Sequence, residues 1–156
     1  MTHQVDTGGL RNEEPLTKDQ KAQILSYAIC LGMSKETILF SENIHNTSYA
    51  SLFGEERLYI GTDVLPAAKK GTANSRVSMR GAIAHELVGH RRAALAGKTQ
   101  ENDLLEEVQA SIRGARFAPQ LTLTERITLI RDALERLKKA RLSIKTVKKQ
   151  LWINEL

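Results

Sequence analysis

The chain reads as an α+β fold, mainly helical, with a small antiparallel sheet beside the helix that carries its most unusual motif. Three observations predict this. Thr17 with Gln20 and Thr122 with Glu125 form capping-box patterns, each leading into apolar residues at helical spacing. Thr37-Ile38-Leu39-Phe40 and Leu58-Tyr59-Ile60 are short, apolar and partly β-branched, the second following the turn-like Gly54-Glu55-Glu56. A chain of 156 residues with 41% hydrophobic composition can bury one sizeable core, and with aromatics at 4% that core must come from Leu, Ile, Val and Ala, which suits closely packed helices.

Residues 1–15, with Gly8-Gly9 and Glu13-Glu14-Pro15, read as a flexible lead-in, and residues 16–156 as a single domain. The first helix starts after Thr17, sets Ile24, Leu25, Ala28 and Leu31 at helical spacing, and stops at Gly32, with Cys30 as a packed core residue. The two short strands follow. Leu65 to Gly71 breaks the pattern and is expected to be a loop. From about Val77 to Ala96 the chain has no turn signal until Gly97, which predicts a helix. Asp103 to about Phe117 is the next helix, with Leu105, Val108, Ile112 and Ala115 marking its apolar face. Thr122 opens a long scaffold helix whose apolar residues are Leu123, Ile127, Ile130, Leu134 and Leu137. Ser143 caps a short last helix in which Ile144, Val147 and Leu151 share a face, with Trp152 as an anchor.

The unusual motif is His85-Glu86-Leu87-Val88-Gly89-His90, two of the chain's four histidines around a glutamate. Ile83, Ala84, Leu87 and Val88 surround the first histidine and the acid, so the motif is expected to be buried. A charge buried without a partner is expensive, and a metal would account for both residues. The familiar zinc-hydrolase helix motif, H-E-x-x-H, sets its histidines four residues apart, about 40° around the helix. Here the spacing is five, which on a regular helix puts the imidazoles about 140° apart. That is too divergent for one metal bonded at roughly 2.0–2.1 Å. Either the motif is a coincidence or the helix is locally widened by a π-bulge, which would return both rings to one face. Gly89 stands where a widened turn would need backbone freedom.

A paired acid follows, in Leu105-Glu106-Glu107-Val108-Gln109-Ala110-Ser111. Glu107 lies nearer the apolar face than Glu106, and Leu104, Ala110, Ser111 and Gly114 flank it at helical spacing. The small residues among these let another helix approach closely. Glu106 has Arg113 beside its face and suits a surface ion pair. Two histidines and one glutamate with an open fourth position make the catalytic type of zinc site, and a single cysteine rules out a cysteine-rich structural one.

His85-Glu86-Leu87-Val88-Gly89-His90 resembles the H-E-x-x-G-H motif of dipeptidyl peptidase III, and Glu106-Glu107-Val108-Gln109-Ala110 is similar to the E-E-x-x-A part of that family's second motif. The resemblance implies His85, His90 and Glu107 as ligands of one Zn2+ per chain, with Glu86 as the catalytic base. It covers residues 85–111 only. The gap between the motifs is far shorter here, Ser111 stands where the family's second motif ends in an acid, and the chain is much smaller than that enzyme. In size and in its compact motif it is more similar to the zincin-like toxin domains at the C-terminal ends of bacterial polymorphic toxins. These resemblances imply a zincin-like domain that hydrolyses peptide bonds of a peptide or protein substrate, as the effector of a toxin system, with an acidic immunity or inhibitor protein as partner. They also imply an edge strand beside the metal helix on which a peptide pairs by β-augmentation, and Tyr59–Thr62 is the strand expected there. Zincins often add a side-chain donor for the oxyanion. His45, Tyr49 and Tyr59 are candidates. Arg91, with Arg92, is a candidate for a substrate carboxylate, against the ordinary reading of a solvated helix face.

Net charge is +5 and the isoelectric point is near 9.5, which favours acidic partners such as nucleic acid, an anionic surface or an acidic protein. Lys138, Lys139, Arg141, Lys145, Lys148 and Lys149 could track phosphates, which gives the alternative of a nucleic-acid-binding protein or a metal-dependent nuclease. The scarcity of aromatics to stack bases weighs against it. A third reading is an interaction domain whose metal only staples two helices. Cys30 is the only cysteine, so an intrachain disulfide is excluded. Residues 1–15 hold no signal-like apolar run and no later stretch reaches membrane-spanning length. The expected place of action is cytoplasmic, reached by secretion machinery if the chain is a toxin.

Overall fold

The computed structural model describes residues 11–41, 46–69 and 71–155, so His45, Lys70 and the first ten residues of the lead-in lie outside the described residues. In chain order the elements are α1 (Lys18–Cys30), β1 (Ile38–Phe40), β2 (Ser48–Leu52), β3 (Glu55–Ile60), α2 (Ala73–Arg76), α3 (Met79–Ala84), a π-helical segment (His85–Arg91), α4 (Arg92–Leu95), α5 (Asp103–Phe117), α6 (Leu123–Lys139) and α7 (Ile144–Val147). The architecture is α+β, helices around one small sheet. No helix among the described residues is long and apolar enough to cross a membrane.

Side-chain caps set most helix starts. Thr17 and Thr122 each close a reciprocal capping box, and Thr72 with Ser75 forms a third at α2. Ser78 accepts from the Gly81 N–H and Asn102 from the Leu105 N–H, satisfying amide groups that the first turn leaves unpaired. α1 ends before Gly32, whose φ of +105° lets the chain reverse at little steric cost. Cys30 corrects the expectation of a core residue: it is exposed, because Ile24, Tyr27 and Ala28 define the buried face.

The sheet is mixed rather than antiparallel. Its strand order is β1-β3-β2, with β1 parallel to β3 and β2 antiparallel to it. The antiparallel partner is Ser48–Leu52, a polar segment that the apolar-run criterion passes over. β3 is therefore central, and the expectation that Tyr59–Thr62 forms the edge strand beside the motif helix is corrected: β2 holds that position and packs against the π segment. Alternation sends Leu58 and Ile60 of β3 into the core and Tyr59 to the opposite face, where its register partner Leu39 is exposed.

Two apolar clusters hold the molecule together. One joins α1, β1, β3, α3 and the π segment through residues such as Ile24, Leu58, Ile83 and Leu87. The other joins α5, α6 and α7 through Val108, Ile112, Ala133, Leu137, Val147 and Leu151. Full burial of a side chain such as Leu87 or Leu137 is worth about 1.5–3 kcal/mol, so α5, wedged between the clusters, is held on both sides. α6 turns a different face inward than its apolar spacing suggests. Leu123, Ile127 and Leu134 are exposed, while Leu129, Asp132, Ala133, Arg136 and Leu137 are buried. The chain beyond α7 is held by its backbone as much as by packing. Arg113 donates to the carbonyls of Trp152 and Glu155, and the Trp152 ring, expected to be an anchor, is half exposed.

Arg11, the first described residue, is drawn into the body of the protein. Its guanidinium donates to the carbonyls of Asp63, Val64, Asn74 and Val77, and burial pushes its pKa down to about 10 against the opposing pull of Asp63 and Asp132.

Candidate metal centre

α3, the π segment and α4 run on without a break, and the widening falls on the motif. His85 to Arg91 is π-helical. The extra residue per turn brings His85 and His90 onto one face, with ring centroids 4.7 Å apart, an interplanar angle of 82° and Nε2 atoms separated by 3.1 Å. Gly89 serves a purpose other than backbone freedom. A Cβ built there would lie 2.3 Å from the Ala110 carbonyl oxygen, so glycine is what allows α5 to touch the π segment. Gly114 makes the matching approach at the other end, where a Cβ would sit 3.2 Å from the Ala84 carbonyl.

That contact delivers Glu107. Its Oε1 lies 3.2 Å from His85 Nε2 and its Oε2 lies 2.9 Å from His90 Nε2. One ligand atom from each of His85, His90 and Glu107 lies within 4.8 Å of the other two, and the three form a group that could hold a metal ion. Glu106 is not in a surface ion pair with Arg113. Its Oε2 sits 3.3 Å from His90 Nδ1 and its Oε1 accepts from the Gln100 N–H at 2.8 Å, so it acts on the outer side of the second histidine.

The charge distribution fits a cation at the centre. Burial opposes charge on His90, yet its hydrogen bonds with Glu106 and Glu107 raise its pKa well above the ordinary 6.5. Burial alone would raise Glu107, but its bonds to His85 and His90 hold it well below the usual carboxylate range. Without a metal, Glu106 and Glu107 favour the protonated form of His90. A divalent ion would take the place of that proton and satisfy the same donors.

Glu86 stands beside this cluster. Its Oε2 is 3.8 Å from His85 Nε2, and its Oε1 accepts the Tyr49 backbone N–H at 3.0 Å. Burial, the largest influence, raises its pKa, while His90 and His85 pull it back. The remaining named residues separate. Tyr49 reaches the site through its backbone, while its hydroxyl donates to Glu56 at 3.3 Å. Arg91 is partly buried rather than on a solvated face, and its Nε donates to both oxygens of Glu56, at 3.2 and 3.0 Å. Tyr59 is on the far face of the sheet, and His45 lies outside the described residues. The basic residues from Lys138 to Lys149 are exposed and supply nothing to the cluster.

Sequence reasoning missed β2, the inward role of Glu106, and Asp132, whose Oδ2 accepts from the Ser111 hydroxyl behind His85. A signal for Asp132 was present: it falls between Leu129 and Ala133 on the buried face of an amphipathic helix.

No protein-family model, curated protein or solved structure matches the chain.

Proposed function

We propose that the chain is a zinc-dependent peptide hydrolase in which His85, His90 and Glu107 hold the metal and Glu86 is the general base. The observation that carries this is the convergence of two Nε2 atoms and one carboxylate at a π-helical widening, with a second, partly buried carboxylate alongside. Nitrogen and oxygen donors in a set of three, with no cysteine among them, suit zinc in an open, catalytic site. Zinc there would supply a Lewis acid, polarising a peptide carbonyl and bringing the pKa of a water toward neutrality.

Glu86 removes the proton from the attacking water and returns it to the leaving amine, and a pKa raised by burial brings it closer to working pH for both transfers. The Tyr49 N–H fixes which carboxylate oxygen faces the strand. An antiparallel strand turns the N–H and C=O of one residue to the same side, so the Tyr49 carbonyl and the polar groups of Ser51 lie on the Glu86 side of β2. A peptide pairing there as an extra strand would bring its scissile carbonyl to the metal and Glu86. The net charge of +5 suits an acidic partner, as the reading as a toxin effector with an acidic inhibitor requires.

The test is zinc content per chain by elemental analysis, for the wild type and His90→Ala prepared in parallel, followed by mass spectrometry of a peptide library digested with the wild type and Glu86→Gln. About one zinc in the wild type, little in His90→Ala, and cleavage that Glu86→Gln loses while retaining zinc is the expected result. Wild type without zinc, or Glu86→Gln with full activity, would sink the proposal. Zinc binding with no cleavage of any peptide would favour a structural staple.

A further inference from the structure

Behind His85 lies a buried polar chain that the hydrolytic reading leaves unused. His85 Nδ1 is 2.9 Å from Ser111 Oγ on α5, and Ser111 Oγ donates to Asp132 Oδ2 on α6 at 2.7 Å. Arg136, one turn further along α6, donates from Nε to the same oxygen at 3.0 Å. A serine hydroxyl has one proton. Since it goes to Asp132, the Ser111 oxygen must accept from His85, which places a proton on Nδ1 and makes Nε2, turned toward Glu107 and His90, the nitrogen that would give its lone pair to a metal.

The placement of Asp132 argues that this is its purpose. It is 2% exposed and Arg136 is 7% exposed, on a helix that leaves Leu123, Ile127 and Leu134 in solvent. A buried ion pair is a poor stabiliser, because desolvation consumes most of its attraction and well-packed apolar residues often do as well or better. The pair here is also incompletely bonded: Asp132 Oδ1 and Arg136 Nη1 have no hydrogen-bond partner among the described residues. Stability alone does not explain it. Orientation of a metal-binding imidazole does, since such a ring needs its second nitrogen held by an acceptor.

We propose that Asp132, itself held by Arg136, positions His85 through Ser111, keeping the imidazole in the Nδ1–H tautomer with Nε2 presented to the metal. The proposal rests on the metal-centre reading above. Ser111 and Asp132 are positioning residues that touch neither metal nor substrate. Ser111 is on α5 and Asp132 on α6, so α6 is coupled to the site without reaching it.

The experiment measures zinc affinity by competition with a chromogenic chelator for the wild type, Ser111→Ala and Asp132→Asn, with the melting temperature of each zinc-free chain as the folding control. Proton NMR of the zinc-loaded chains reports the exchange-protected His85 Nδ1–H. Ser111→Ala leaves the Asp132–Arg136 pair intact and should bind zinc about 10–100-fold more weakly, with that resonance lost. Asp132→Asn should weaken binding in the same direction by several-fold, and it decides the matter should Ser111→Ala fail to fold. Wild-type affinity and a retained Nδ1–H signal in both variants would overturn the proposal while the metal centre stands. A wild type that takes up no zinc would instead remove the metal centre and the proposal with it.

Discussion

Glu106 and Glu107 differ by one position and act on opposite sides of the same histidine. Glu107 lies between the two Nε2 atoms, whereas Glu106 holds the outer nitrogen of His90. Glu107→Ala should therefore remove most zinc binding, and Glu106→Ala should weaken it by about tenfold, as loss of an outer partner does. Isothermal titration of both variants checks the order, and the reverse order would mean that the wrong acid has been assigned. pH gives a second test. The His90 pKa is raised above 6.5, so its contribution to the stability of the zinc-free chain is full below that value and is lost as pH rises through the raised pKa. Glu107 is depressed below 4.5, so its contribution is full above that value and is lost as pH falls through the lowered pKa. The pair should stabilise the zinc-free chain most between about pH 4.5 and 6.5. Zinc must displace the His90 proton, so the stabilisation it confers should grow with pH instead. Melting curves from pH 4 to 9, with and without zinc, would show opposite slopes above neutrality, and parallel slopes would exclude His90 as a ligand.

The π segment and α5 form one unit, because the widened turn aligns the histidines and the close helix contact brings the acid. Gly89 is the point of contact. A methyl group at 2.3 Å from the Ala110 carbonyl cannot be absorbed by a side-chain rotation, since the obstacle is backbone. Gly89→Ala should push α5 outward, cost about 1–3 kcal/mol in chemical denaturation, and weaken zinc binding along with stability. A variant with unchanged stability and zinc affinity would show that the two helices need not touch at this point. The longer helices were legible in the sequence, since caps and Gly stops announce them locally, whereas the four-residue α2 was not, and at α7 Ser143 makes no side-chain cap and Leu151 lies beyond the helix. So was the need for a π-bulge, because five-residue spacing and a shared metal are incompatible on a regular helix. β2 was not legible: Ser48 to Leu52 has weak alternation, and its place depends on pairing with β3. The face of α6 was misread because its buried stripe contains an ion pair, while several of its leucines and isoleucines face solvent.

For the molecule as a whole, a metal at this centre would tie together α5, the helix of the motif and, through Glu86 and Tyr49, the edge of the sheet. Zinc at a hundred times its dissociation constant should then stabilise the fold by about 2.7 kcal/mol. Scanning calorimetry before and after chelation checks this, and an unchanged melting temperature would argue that no ion is held between these elements. The local pattern of residues was enough to establish the α+β class, the starts of the longer helices, and the group His85, Glu86, His90 and Glu107 as the place to look. Those signals lie within one turn or one helix face, where spacing alone carries the geometry. Only the tertiary structure decided that β2 lies beside Glu86, that Arg91 is occupied by Glu56, and that Asp132 stands behind His85 through Ser111. Each of these depends on distances between segments far apart in the chain, which packing of the two apolar clusters sets and no local pattern records.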